Sequence, residues 1–187
     1  MKPHIALLRG VNVGGNKRVP MADWKGWLVE MGCAQPATLL NSGNAAFLSA
    51  ARKPEKLAGE MAALLQERLG FEVPVIVKSG AELARVVEDL PWEVEAEALD
   101  ASRLLVAFVP SPDALGALDR AAALVQAPER FHIGREAGYL YCASGILESR
   151  AGAALVGKGA GLVTSRNWAT VLKLHELVRK LAKDASA

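Results

Sequence analysis

Twice along the chain the apolar residues fall into the same succession: a short run, a helical stripe, two short runs divided by a polar turn, a second stripe and a last short run. Few folds accept this order, because an amphipathic helix must cover a sheet and two runs split by a tight turn must pair antiparallel. In the first pass, residues 5–8 (IALL) are apolar on both alternations, as expected of a central strand. Met21, Trp24, Leu28 and Met31 recur at helical spacing, and Gly32 terminates them. Residues 37–40 and 45–48 flank Asn41, Ser42, Gly43 and Asn44, the composition of a hairpin turn. Leu57, Met61, Leu64 and Leu65 mark a second helix between Pro54 and Gly70. Residues 71–78 form the last strand, and Pro74 inside it cannot donate to a ladder, which predicts a sheet edge.

Ser79 and Glu82 stand at capping-box spacing ahead of the stripe Leu83, Val86, Val87 and Leu90. The acidic residues 93–100 lack a stripe and read as an exposed linker. The order then restarts. Residues 104–109 are a strand, Ser111, Pro112 and Asp113 open a helix that faces Leu115, Leu118 and Ala122 inward, and residues 130–134 and 139–143 form a hairpin around Glu136, Ala137 and Gly138. A short helix at 153–156 and a short strand at 162–164 complete the pattern, and Ser165 is read as the cap of a terminal helix carrying Val171, Leu174, Val178 and Leu181. The order βαββαβ is that of the split βαβ, or ferredoxin-like, unit. The expected class is therefore α+β: two ferredoxin-like (βαββαβ-type) halves in tandem plus a C-terminal helix, divided into residues 1–80, a connector at 81–100 and residues 101–187.

At 187 residues and 51% hydrophobic content, the chain can bury a real core. Its 22 basic residues nearly balance 20 acidic ones, so there is no strong nucleic-acid signal and any basic site must be local. Cys33 and Cys142 have no metal-type spacing, and His4, His132 and His175 pair with no neighbouring cysteine or serine, so each reads as structural or surface. No cofactor is named by these residues. The N-terminal apolar run is too short for a signal peptide and no run reaches the length of about 20 residues that spans a membrane, which leads to the expectation of a cytoplasmic protein with no membrane partner.

Chemistry concentrates in the polar loops. Residues 9–18, RGVNVGGNKR, leave a strand end and enter a helix start, where backbone N–H groups are unpaired. Gly10, Gly14 and Gly15 can take positive φ and turn amides inward, Asn12 and Asn16 tolerate the same region, and Arg9, Lys17 and Arg18 add charge. Such concavities bind anions. Ser42 and Asn44 offer hydroxyl and amide groups on the hairpin turn, and Arg166 and Asn167 do so at the terminal helix. Each of these stretches lies at an element end, which carries the expectation that they share a site.

Read in order, LRGVNVGGNKRVPMADW, LNSGNAAF and TSRNWATVLKL resemble the domain of unknown function 1697 family, small bacterial proteins with the patterns LRG(I/V)NVGG, SGN and TTRNW. The resemblance implies tandem ferredoxin-like halves and no established activity. Its motif positions here are Arg9, Gly10, Asn12, Gly14 and Gly15, then Ser42, Gly43 and Asn44, then Thr164, Arg166, Asn167 and Trp168. Ser165 departs from a usual threonine, Ala169 from a frequent asparagine, and Ser149-Arg150 stands where a serine-lysine pair is usual.

The leading expectation is a protein that binds a small phosphate- or carboxylate-bearing molecule through Arg9, Asn12, Gly14, Gly15, Lys17, Arg18, Ser42, Asn44, Arg166 and Asn167. Whether it catalyses a reaction is not specified by these residues. By fold analogy, an acylphosphatase-like hydrolase would use Arg9 or Arg18 to hold phosphate and Asn41 or Asn44 to orient water. An RNA-binding or protein-interaction module is the third expectation, weakened because the central strands offer only Phe47 for base stacking.

Overall fold

The structure, a computed structural model, describes residues 1–14, 17–50 and 53–185, with the backbone alone at Lys158. It is a mixed α/β protein with two four-stranded antiparallel sheets and six α-helices among the described residues. The chain divides into two compact units, Met1–Leu83 with Leu174–Ala187, and Ala84–Lys173.

In the first unit, β1 (Lys2–Leu8), α1 (Met21–Glu30), β2 (Ala34–Leu39), β3 (Asn44–Ser49), α2 (Pro54–Leu69) and β4 (Val75–Ser79) follow one another, and the sheet order is β2-β3-β1-β4. The central position of β1 explains its unbroken apolar run, because Ile5, Ala6, Leu7 and Leu8 are all buried. Ala6, Leu8, Phe47, Val75 and Val77 share one core with Trp24 and Leu28 of α1 and Leu57, Met61 and Leu65 of α2. Gly70 ends α2 at φ 75, where its amide returns to the carbonyl of Gln66 at 2.9 Å. β4 begins after Pro74 rather than at residue 71. The proline supplies no N–H to a ladder, and its carbonyl instead accepts from Arg9 N at 2.9 Å. β4 is an edge strand beside β1.

The capping box opens α3 (Gly80–Glu88): Ser79 N donates to Glu82 Oε2 at 2.7 Å and Glu82 N donates to Ser79 Oγ at 3.2 Å. The same carboxyl group lies 3.9 Å from the ammonium of fully buried Lys78.

His4, expected ahead of the strand, lies inside β1, buried and stacked on Phe47 at 5.9 Å between ring centroids. Its Nδ1 donates to the carbonyl of Lys2 at 2.9 Å. Burial is the main cause that holds its pKa below the ordinary value, so the folded chain keeps His4 neutral while the unfolded chain takes up a proton below about pH 6.5. The sign follows: His4 costs nothing at neutral pH, and stability falls as pH drops through 6.5 toward the depressed folded pKa. Thermal unfolding between about pH 7.5 and about pH 5.5 should show this fall, and His4→Phe should remove its share of it.

In the second unit, β5 (Leu104–Phe108) is followed by a 3-10 helix, Pro112–Leu118, and by α4 (Asp119–Ala122). A regular helix was expected here from Ser111 onward, yet the Ser111 side chain makes no cap and the segment winds tightly before one α-turn. As a result Ala121, not Ala122, is buried beside Leu118. The hairpin β6 (Arg130–Ile133) and β7 (Ala137–Tyr141) turns at 134–136, so Ala137 and Gly138 already belong to the strand. Gly138 is needed for close approach, since a Cβ there would lie 2.8 Å from Leu118 Cδ1. Glu136 lies in the turn, as expected, but is buried there and receives Arg85 Nε at 2.8 Å and Arg85 Nη2 at 2.6 Å.

Then come α5 (Arg150–Val156), β8 (Thr164–Asn167) and α6 (Trp168–Asp184), with the sheet order β6-β7-β5-β8. Ser149 caps α5 by accepting from Gly152 N at 2.9 Å, which starts that helix three residues before the expected position. No helix among the described residues is long and apolar enough to cross a membrane.

Candidate functional site

The loop after β1 is closed by Asn12. At φ 57 its side chain donates to the carbonyls of Val19 at 2.9 Å and Asn41 at 2.7 Å and accepts from Val19 N at 2.9 Å, while its backbone N–H reaches Lys17 O at 3.1 Å. Both amide hydrogens are therefore committed to the fold. Gly10 and Gly14 take positive φ, 66 and 65, as the loop requires. Gly15 and Asn16 lie outside the described residues. Lys17 is directed away from the loop mouth: its ammonium donates to Glu72 O at 2.9 Å and sits 5.9 Å from the Phe71 ring centroid. Arg9 is half-buried, and Arg18 is exposed.

The turn between β2 and β3 packs against this loop. Leu8 N donates to Gly43 O at 2.8 Å, and Gly43, at φ 77, lies so close to β1 that a Cβ would fall 2.6 Å from Leu8 Cβ and 2.8 Å from Val11 Cγ2. Fully buried Asn44 donates to Leu39 O at 3.0 Å and Ser42 Oγ at 2.9 Å, which shapes the turn from within.

Between loop and turn is a cleft of about 520 Å³, lined by Asn12, Arg18, Val19, Pro20, Met21 and Asn41. The N-terminus of α1 opens at its wall, where Pro20 provides no side-chain cap. First-turn N–H groups of a helix have no partner within the helix and favour negative charge, although Asp23 in that turn opposes it. Arg18 and Asn12 of the expected ligand residues line the cleft, whereas Ser42 and Asn44 form the frame behind it. Asn41 and Met21 join them from outside that set. Asn41 was legible as a turn residue, but its place opposite Arg18 depends on the 2.7 Å bond across 29 residues.

Arg166 and Asn167 belong to the second unit. Arg166 pairs with Val106 across β5 and β8 and donates through Nη1 to Thr164 Oγ1 at 2.9 Å and Ser165 O at 2.8 Å. Burial pushes its pKa down to about 10, so it remains cationic at neutral pH. The cap of α6 is Asn167, whose Oδ1 accepts from Thr170 N at 3.0 Å. Ser165 does not cap the helix, because it is held in β8 opposite Ala107. Cys33 and Cys142 are buried and form no disulfide, and among the described residues no group of three or more His, Cys, Asp or Glu side chains could hold a metal ion.

The family model described as Protein of unknown function (DUF1697) matches residues 1–139. The chain belongs to this DUF1697 family. The match covers the loop after β1 and the β2–β3 turn and ends before TSRNW at 164–168. No curated protein matches the sequence significantly. Among solved structures, the conserved bacterial protein SP0830 from Streptococcus pneumoniae is similar over 95% of this chain and 98% of its own, with a TM-score of 0.78 and 21% identity. At that identity the likeness concerns the fold.

Proposed function

We propose that this DUF1697 protein binds a small phosphate- or carboxylate-bearing molecule in the cleft between the loop after β1 and the β2–β3 turn. The observation that carries the reading is that Arg18, Asn41 and the uncapped start of α1 line one cleft. Arg18 is the cation for the ligand, because among the described residues its side chain has no hydrogen bond or ion pair, whereas Lys17 is engaged with Glu72 O. Asn12 acts as scaffold. We read each unit as ferredoxin-like, on the support of the βαββαβ order and of the strand orders β2-β3-β1-β4 and β6-β7-β5-β8. Reduced thiols such as those of Cys33 and Cys142 suit a cytoplasmic location.

A thermal-shift screen of nucleotides, sugar phosphates and acyl phosphates tests the reading. A ligand at about 100 times its dissociation constant stabilises by roughly 2.7 kcal/mol, a midpoint rise of about 5 to 10 °C for a chain of this size. Arg18→Ala should abolish the rise and leave the unliganded midpoint unchanged. A rise that persists in Arg18→Ala, or no rise with any anion, sinks the proposal.

A second reading has one observation in its favour. Arg18 and Asn41 share the cleft, which is the pairing that an acylphosphatase-like mechanism uses to hold phosphate and orient water. Asn44 is too buried and too fully bonded for that role. Release of phosphate from acetyl phosphate, lost in both Arg18→Ala and Asn41→Ala, would favour hydrolysis over binding alone. Base stacking has less to work with, since Phe47 is fully buried in the core of the first unit.

A further inference from the structure

The arginines of the second unit are not used alike. Arg85 holds Glu136, Arg103 holds Asp100, Arg130 holds Glu97 and Arg135 holds Asp89, each as an ion pair. Arg120 of α4 and Arg150 of α5 have no hydrogen bond or ion pair among the described residues, and the two line the same cavity of about 360 Å³. Among the described residues no carboxylate lines it; Leu124 and Ala153 form an apolar side, and Gly157 and Gly159 give it a bare backbone edge. Both arginines are exposed, so solvent screens their like charges, and an anion held between them would join two cations that now share one cavity.

Gly159 adds a second observation. Its φ is not positive, so glycine is not required there for conformation. A Cβ at that position would, however, lie 2.5 Å from Arg120 Nη1, so the guanidinium rests against the Gly159 backbone and a side chain there would push it aside.

We propose that the second unit carries a binding site for the phosphate group of a small molecule, held by Arg120 and Arg150 and independent of the cleft in the first unit. Guanidinium groups match phosphate oxygens with paired N–H donors, and two of them balance a dianion. The volume is at the small end of the range of about 300 to 1,000 Å³ for small-molecule pockets, which suits a phosphomonoester with a body of a few carbons lying on Leu124 and Ala153.

The test is an NMR titration of the full-length protein with inorganic phosphate and with glycerol phosphate, following the Gly157 and Gly159 amides and the Nε–H groups of Arg120 and Arg150. A saturable shift with a dissociation constant of about 1 mM or tighter is expected for both probes. Arg120→Ala and Arg150→Ala should each weaken it at least about tenfold, the loss expected for a charge-assisted hydrogen bond. Gly159→Ala keeps both charges but displaces the Arg120 guanidinium, and it should weaken binding too. Arg18→Ala should leave these shifts unchanged, which separates this site from the first-unit cleft. Absence of a shift with either probe, or a shift equally strong in both arginine variants, overturns the proposal. So does a drop in the unfolding midpoint of Arg120→Ala without any anion-dependent shift, which would make Arg120 a cation serving the C-terminal end of α5.

Discussion

Replacing Gly43 by alanine is expected to lower the unfolding midpoint by about 6 to 12 °C, from a loss of about 3 kcal/mol. Two costs combine. At φ 77 an L side chain occupies the left-handed region, a penalty of roughly 1 to 2 kcal/mol. The added methyl would also lie 2.6 Å from Leu8 Cβ and 2.8 Å from Val11 Cγ2, and overpacking of this kind costs roughly 1 to 3 kcal/mol. Leu8 Cβ cannot rotate away, because it is fixed to the central strand β1. Gly10→Ala isolates the first cost: φ is 66 there but nothing lies within 4 Å of the added atom, so about 1 kcal/mol is expected. Differential scanning calorimetry of the two variants decides the point, and equal midpoints would show that the close packing of the turn on β1 is unimportant. Because the same turn presents Asn41, Gly43→Ala should also weaken any ligand that Arg18 helps to bind.

The second large effect is expected in the other unit. Glu136 is 4% exposed, and Arg85 donates to its Oε1 through both Nε and Nη2. Arg85→Ala leaves that carboxylate buried without its guanidinium. Breaking a buried pair costs about 3 to 5 kcal/mol, and because Arg85 itself is 38% exposed the lower end applies, about 3 kcal/mol. The midpoint should fall by about 6 to 12 °C. Adding Glu136→Leu to Arg85→Met should recover most of the loss, since apolar residues of similar volume can replace a buried pair at little net cost. A single Arg85→Ala variant as stable as the parent would show that water or another group satisfies Glu136 fully.

Much of the first unit was legible because its signals act over a few residues. The Ser79–Glu82 capping box forms as its spacing indicates, Gly70 ends α2 in the left-handed conformation, and residues 41–43 turn the chain between β2 and β3. A local signal gives way where it competes with a distant one. Ser165 has the composition of a cap, but pairing of β8 with β5 keeps the backbone extended through Asn167, which takes the capping role. Ser111, Pro112 and Asp113 spell a helix start, yet the segment first winds as a 3-10 helix.

The candidate site divides in the same way. That residues 9–18 form a polar loop with glycines at positive φ follows from composition and from the adjoining strand and helix, since backbone freedom and unpaired N–H groups are properties of the residues themselves. Which polar groups are spent on the fold and which face the cleft was decided only in three dimensions. Asn12 and Asn41 each stand two residues before a glycine and both line the cleft, but Asn12 donates both of its amide hydrogens within the fold. Lys17 and Arg18 are adjacent cations, and only Arg18 faces it. A hydrogen bond that joins residues 29 positions apart depends on strand register, and no local period encodes that. By itself, the sequence determined the order of elements and the place of the loop, because those depend on neighbours within about one helical turn. The tertiary structure alone decided the partners, because sheet pairing brings together groups that the chain keeps far apart.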